Sequence, residues 1–176
     1  MKLKFLIDED MVNYKKTSMF VGFPYCSFKC DIDNGNQYCQ NYYLKDEKII
    51  DISVDDLCKR YLDNPLTHAI VLAGLEPFDS SFDLTTFVAT LRTKYGCEDD
   101  IVIYTGYTKE ELCGTRHKDY PEVNFEKLQL VFKELHKYKN IIIKYGRYIP
   151  GHQKHIDEVL CVNLASDNQY AEVING

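Results

Sequence analysis

No part of this chain is apolar for long. The longest apolar runs, residues 69–73 and 140–143 with their neighbours, fall far short of the ~20 residues that span a bilayer. Nothing here resembles a secretory leader, so none is expected: the opening MKLKFLIDEDM has only a short apolar run that meets three acids at once. Basic residues are not in surplus, since 27 acids outweigh 21 bases for a net charge of −6, and a broad nucleic-acid groove would need a basic face. Internal repeats, low-complexity tracts and linkers are absent, so residues 1–176 are expected to form a single domain. Together these absences lead us to expect a cytoplasmic protein with no membrane and no nucleic-acid partner.

Cysteine, by contrast, is plentiful. Seven is an odd count, and without a leader a disulfide framework is a poor reading, which leaves free thiols or metal ligands. Cys58, Cys97, Cys113 and Cys161 are isolated and read as small buried hydrophobes. Cys26, Cys30 and Cys39 instead share one stretch, FPYCSFKCDIDNGNQYCQN, at spacings C-x3-C-x8-C.

Apolar, β-branched runs recur at residues 18–22, 69–73, 101–104, 140–144 and 158–162, the pattern of strands buried on both faces of a parallel sheet. Helical segments alternate with them. SVDDLCKRYLDN opens on Ser53 as an N-cap and puts Val54, Leu57, Cys58 and Tyr61 on one face. DLTTFVATLRTKYG ends at Gly96, TKEELCG runs from Thr108 to Gly114, and NFEKLQLVFKELHKYKN carries Phe125, Leu128, Val131, Phe132 and Leu135 at helical spacing. This order predicts an α/β fold with a mostly parallel sheet. A complete eight-unit barrel needs ~250 residues, so only an open or partial β/α barrel fits.

In such folds the chemistry gathers at the C-terminal ends of the strands. The cysteine loop follows the first strand, Gly74-Leu75-Glu76-Pro77 the second and Thr105-Gly106-Tyr107 the third, so three unusual loops are expected on one rim. Three thiolates in a turn-rich loop have three readings. They are unrelated thiols, a zinc site completed by a distant residue, or an iron–sulfur cluster with one iron left open. No histidine lies near the loop in sequence.

Cys26-Ser-Phe-Lys-Cys30 followed by Gln37-Tyr38-Cys39 resembles the C-x3-C-x-φ-C signature (φ aromatic) of the radical S-adenosylmethionine (SAM) superfamily, and Gly74-Leu75-Glu76-Pro77 resembles its GGEP motif with leucine for the second glycine. Within that superfamily the chain is most similar to the activating proteins of anaerobic ribonucleotide reductases. Phe20-Val-Gly, Cys39-Gln-Asn41, IYTGYTKEEL, IIKYGRY and LASDNQ all look like segments of that group. The second cysteine gap is x8 where the family usually has x2, so residues 31–36 read as an inserted turn. The resemblance implies a partial barrel of the radical SAM type and an oxidoreductase that generates a glycyl radical. Its cofactors would be a [4Fe-4S] cluster on Cys26, Cys30 and Cys39, and SAM contacted by Tyr38, Gly74, Glu76, Pro77, Thr105 and Asn168. No side chain is assigned a catalytic role of its own. The implied partners are a large glycyl-radical enzyme and an external electron donor such as flavodoxin or ferredoxin. Two alternatives stay open: a radical SAM enzyme acting on a small molecule, and a non-enzymatic cysteine-rich metal-binding module. Tyr107, Gln169, Lys144 and Arg147 are further candidates, the last two for carboxylate recognition.

Overall fold

Continuous Val/Ile runs form the centre of the molecule because both of their faces are covered. The computed structural model describes residues 1–35, 39–114 and 124–175. In chain order its elements are β1 (Lys2–Leu3), β2 (Phe5–Asp10), β3 (Ser18–Phe23), α1 (Lys29–Asn34), β4 (Ile50–Asp51), α2 (Val54–Leu62), β5 (Ala69–Gly74), α3 (Ser81–Ala89), β6 (Asp100–Tyr104), α4 (Lys109–Leu112), α5 (Phe125–Leu135), β7 (Ile141–Tyr145), β8 (His155–Asp157), β9 (Val162–Leu164) and β10 (Tyr170–Asn175). Six strands make one mixed sheet in the order β2-β3-β5-β6-β7-β10. The four inner strands are parallel, and β2 and β10 pair antiparallel at the two edges.

Period-two alternation divides the strand residues between two layers. Met19, Val21, Ile70, Leu72, Ile101, Ile103, Ile141 and Ile143 pack with Leu57 and Tyr61 of α2, Leu84 and Phe87 of α3 and Leu128 and Phe132 of α5. Phe20, Val71, Ala73, Val102 and Ile142 point the other way, under Leu160 and Leu164 around the β8–β9 hairpin. Towards the C-terminal end of that second face the branched residues give way to Ala73, Tyr104 and Lys144, and a cavity opens there.

The helices begin where the sequence supplies caps. Ser53 accepts a hydrogen bond from the Asp56 amide at 3.0 Å, and Asn124 accepts from the Lys127 amide at 2.9 Å. Thr108 and Glu111 form a reciprocal capping box on α4. Helix α3 continues as a π-helical turn over Thr90–Lys94 before Gly96.

Of residues 158–162, expected as a strand, 158–161 are a turn that joins β8 to β9, and only Val162 is in a strand. The Asp157 carboxylate accepts from the amides of Val159 and Leu160, and Cys161 takes φ 58, so the chain reverses under a buried Leu160. Two of the isolated cysteines also depart from expectation: Cys58 is buried and Cys97 half-buried, but Cys113 and Cys161 are exposed. Among the described residues no helix is long and apolar enough to cross a membrane.

Candidate metal centre

The cavity sits at the C-terminal ends of β3, β5, β6 and β7 and has a volume of about 520 Å³. Gly74, the last residue of β5, lets the rim form. It takes φ 86, and a β-carbon there would meet the backbone of Gly22 and Phe23 at 2.7 Å. Only glycine lets β5 turn this close to β3. Leu75 then runs on in ordinary backbone, so Gly74 alone supplies the positive φ of this turn. The amides of Leu75 and Glu76 donate to the carbonyls of Phe23 and Tyr25, which continues the β3–β5 pairing into the cysteine loop. Pro77 is buried and starts the helical turn Pro77–Ser80, where its fixed φ suits the first position.

A network of side chains shapes the first half of the cysteine loop. Asp79 accepts from the Ser27 amide at 2.8 Å and from the Tyr107 hydroxyl at 2.6 Å. The Lys29 amine donates to Tyr107 at 2.8 Å and to the Ser27 hydroxyl, and it also lies 4.4 Å from the centre of the Tyr107 ring. Tyr107 therefore braces the loop from the core, 2% exposed.

Residues 29–34 are helical where the sequence reads 31–36 as a turn. They form α1 between Phe28 and Gly35, both left-handed, and Asp31 stands in the first turn, where a carboxylate suits the helix N-terminus. Asp31 accepts from the Cys39 amide at 2.7 Å, and Asn41 donates to the Gly74 carbonyl at 2.7 Å. Asp31 thus holds Cys39 from one side, and Asn41 ties the loop to the Gly74 turn.

Glu76 joins two strand ends. Its carboxylate accepts from the amide of Phe78 (3.1 Å), the hydroxyl of Thr105 (2.8 Å) and the amide of Gly106 (2.9 Å). Burial and the nearby Asp79 charge lift its pKa from 4.5 to about 7, against the pull of those three donors. A raised carboxyl pKa means that the folded apoprotein holds this proton while the unfolded chain releases it. The associated stability is complete below about pH 4.5 and is lost as pH rises through about 7. Urea titrations of the apoprotein are expected to show stability falling by on the order of 3 kcal/mol over that window. Glu76→Gln is expected to flatten the slope; an equal slope in the variant would contradict this assignment.

The other sequence-predicted residues fall into three groups. Thr105 is buried and lines the cavity with Gly74 and Glu76. Asn168 is exposed, donates to the Arg147 carbonyl at 2.9 Å and is not part of the cavity wall, whereas the adjacent Gln169 is. Tyr38 lies outside the described residues. Lys144 is 7% exposed on the cavity face of β7, where its amine donates to the Gly146 carbonyl at 3.1 Å. Burial lowers its pKa to about 8, against the charges of Cys30, Glu76 and Asp157. Arg147 is engaged by carboxylates, donating to both oxygens of Glu111 at 2.7 and 3.0 Å.

Cys26, Cys30 and Cys39 all line this cavity, and no histidine or fourth cysteine joins them among the described residues. Burial raises the pKa of each thiol, that of Cys30 to about 11. A soft metal centre removes that penalty by taking up the thiolates. No three of the described His, Cys, Asp or Glu side chains form a group that could hold one ion. Three thiolates on one zinc at ~2.3 Å would crowd within about 4 Å of one another. In a cubane each thiolate takes its own iron, so the ligands stand further apart. Cys26, Cys30 and Cys39 lining one cavity supply the three thiolates such a cluster would take up.

Comparison with known proteins agrees with this donor set. The model of a family described as a 4Fe-4S single cluster domain matches residues 15–145, which include all three cysteines and the ends of all four parallel strands. A search of curated proteins finds no match to the chain. The chain belongs to the 4Fe-4S single cluster domain family, a domain found in radical SAM-type proteins, and the cofactor this implies is one iron–sulfur cluster.

Proposed function

We propose that the chain is a radical SAM activase, built on a partial β/α barrel, that generates a glycyl radical on a large anaerobic ribonucleotide reductase. The observation that carries the reading is the shared cavity: three thiols, the Gly74 turn and the buried Lys144 amine face one space of about 520 Å³. Cys26, Cys30 and Cys39 would hold the cluster. Three protein thiolates for four irons leave one iron for another ligand. With an electron from a flavodoxin- or ferredoxin-type donor, the bound cofactors supply one-electron cleavage of a carbon–sulfur bond of SAM, giving methionine and a 5′-deoxyadenosyl radical.

The chain's own groups bind and orient. Lys144 supplies a buried positive charge for the carboxylate of SAM, and the backbone around Gly74 and Thr105 forms the wall beside it. Glu76, already bonded to three protein donors, stiffens that wall and has one lone-pair position left for an ammonium. At the cavity lining, Val12 is 75% and Tyr43 65% exposed, which leaves an apolar mouth for a protein substrate to cover.

Lys144→Met is expected to weaken SAM binding about tenfold or more, the worth of a buried charged hydrogen bond. It should leave 5′-methylthioadenosine, which lacks the carboxylate, unaffected. Equal losses for both ligands, measured by equilibrium dialysis, would contradict this placement. The function itself is tested by mixing the reduced, reconstituted protein with SAM and an anaerobic ribonucleotide reductase. A glycine-centred radical should appear on the reductase by electron paramagnetic resonance. SAM cleavage without that signal would point to a small-molecule substrate instead.

A further inference from the structure

The residues inserted between Cys30 and Cys39 carry two carboxylates, and both are put to use. Asp31 holds the Cys39 amide at 2.7 Å. Asp33 reaches the other way, to the Arg147 guanidinium at 3.0 Å. Arg147 follows the end of β7, its side chain 10% exposed, and the same guanidinium grips both oxygens of Glu111, whose side chain is 5% exposed. Glu111 is itself fixed by the capping box of α4, in which it accepts from the Thr108 amide at 2.8 Å. A rigid chain of contacts therefore runs from α4 through Arg147 to α1 and on to Cys39.

Arg147 also stands against the cluster site. Arg147 and Cys30 both border Gly106: a β-carbon built there would lie 3.7 Å from Arg147 Cγ and 3.8 Å from Cys30 Sγ. Burial raises the Cys30 thiol most, and the nearby Arg147 charge works the other way.

We infer that Arg147 is a positioning residue for the cluster, pinning the inserted helix α1 through Asp33 and holding a fixed positive charge behind Cys30. The inference rests on the cysteine loop being the cluster site. Two separable effects follow. Pinning α1 fixes the distance between Cys30 and Cys39 despite the long gap, which slows cluster loss. The buried cation favours the reduced, more negative cluster and so raises its potential.

The test compares Arg147→Gln, Asp33→Asn and Arg147→Lys. In the apoprotein, amide hydrogen exchange over residues 29–34 should quicken about tenfold in Arg147→Gln and in Asp33→Asn, with β5 and β6 unchanged. In the reconstituted protein, iron loss to a chelator should quicken similarly in both. The midpoint potentials should move in opposite directions: down in Arg147→Gln, which removes a cation, and up in Asp33→Asn, which removes an anion. Arg147→Lys keeps the charge and should keep the potential. Unchanged exchange over residues 29–34 would overturn the pinning. Potentials that stay fixed, or that shift together, would overturn the charge effect. A wild-type chain that takes up no cluster would instead overturn the underlying reading, while the apoprotein exchange would still report on the pinning.

Discussion

Cys39→Ala protein, reconstituted anaerobically with iron and sulfide, is expected to retain less than about a tenth of the iron held by the wild type. Cys39 is the least secured of the three thiols in sequence terms, because the x8 gap separates it from the pair at Cys26 and Cys30. The fold nevertheless brings it to the same cavity by two hydrogen bonds, Cys39 amide to Asp31 and Asn41 to the Gly74 carbonyl. Losing one of three thiolates leaves two irons without protein ligands, and the cluster should disassemble during desalting. Cys39 is only half-buried and its amide bond survives substitution, so the thermal midpoint of the apoprotein should barely move, as for other surface changes. Iron content and the thiolate-to-iron absorption are the readouts. Full iron retention in Cys39→Ala would mean that this thiol is not a ligand.

Gly74→Ala carries the largest expected stability effect. The new methyl group would stand 2.7 Å from Gly22 Cα and from the Phe23 amide nitrogen, and both contacts are backbone. Neither strand can yield without disturbing the register in which Phe23 faces Gly74. Positive φ at a non-glycine residue adds about 1–3 kcal/mol, and overpacking adds about 1–3 kcal/mol more. A destabilisation of about 3–5 kcal/mol is expected by urea denaturation of the apoprotein. Leu75→Gly is the control. Leu75 has ordinary backbone, so added flexibility should cost about 1 kcal/mol or less beyond the lost side-chain packing. A larger loss in Leu75→Gly than in Gly74→Ala would reverse the roles assigned to the two residues.

Much of the site's location was legible in the sequence, because apolar runs mark the parallel strands and each unusual loop follows one of them. That rule placed the cysteine loop, the Gly74 turn and Thr105 on one rim. It could not separate the two faces of a strand buried on both sides. The run at residues 140–144 is apolar until Lys144, and only pairing with β6 and β10 shows that Lys144 shares the cavity face with Ile142. The partners of Arg147 were hidden for another reason. Glu111 and Asp33 lie far from it in sequence, and their contacts depend on how α4 and α1 stand on the rim. Helix α1 looked like a turn because Asp, Asn and Gly favour turns, yet a left-handed residue at each end lets six residues close a helix. The edge strands β2 and β10 mix polar with apolar residues, Asp8, Glu9 and Asp10 in one and Glu172 and Asn175 in the other, so they gave no continuous apolar signal. Residues 158–162 misled in the opposite sense: their apolar run serves a turn that buries Leu160, which composition alone does not distinguish from a strand.

The most direct measurement is SAM cleavage by the anaerobically reconstituted, dithionite-reduced protein, followed as 5′-deoxyadenosine and methionine and run beside Cys39→Ala. If the three thiols hold one cluster open to SAM, the wild type forms both products in equal amounts and the variant forms neither. A wild-type protein loaded with iron and sulfide that forms no 5′-deoxyadenosine would contradict that reading, as would one that takes up zinc and no iron.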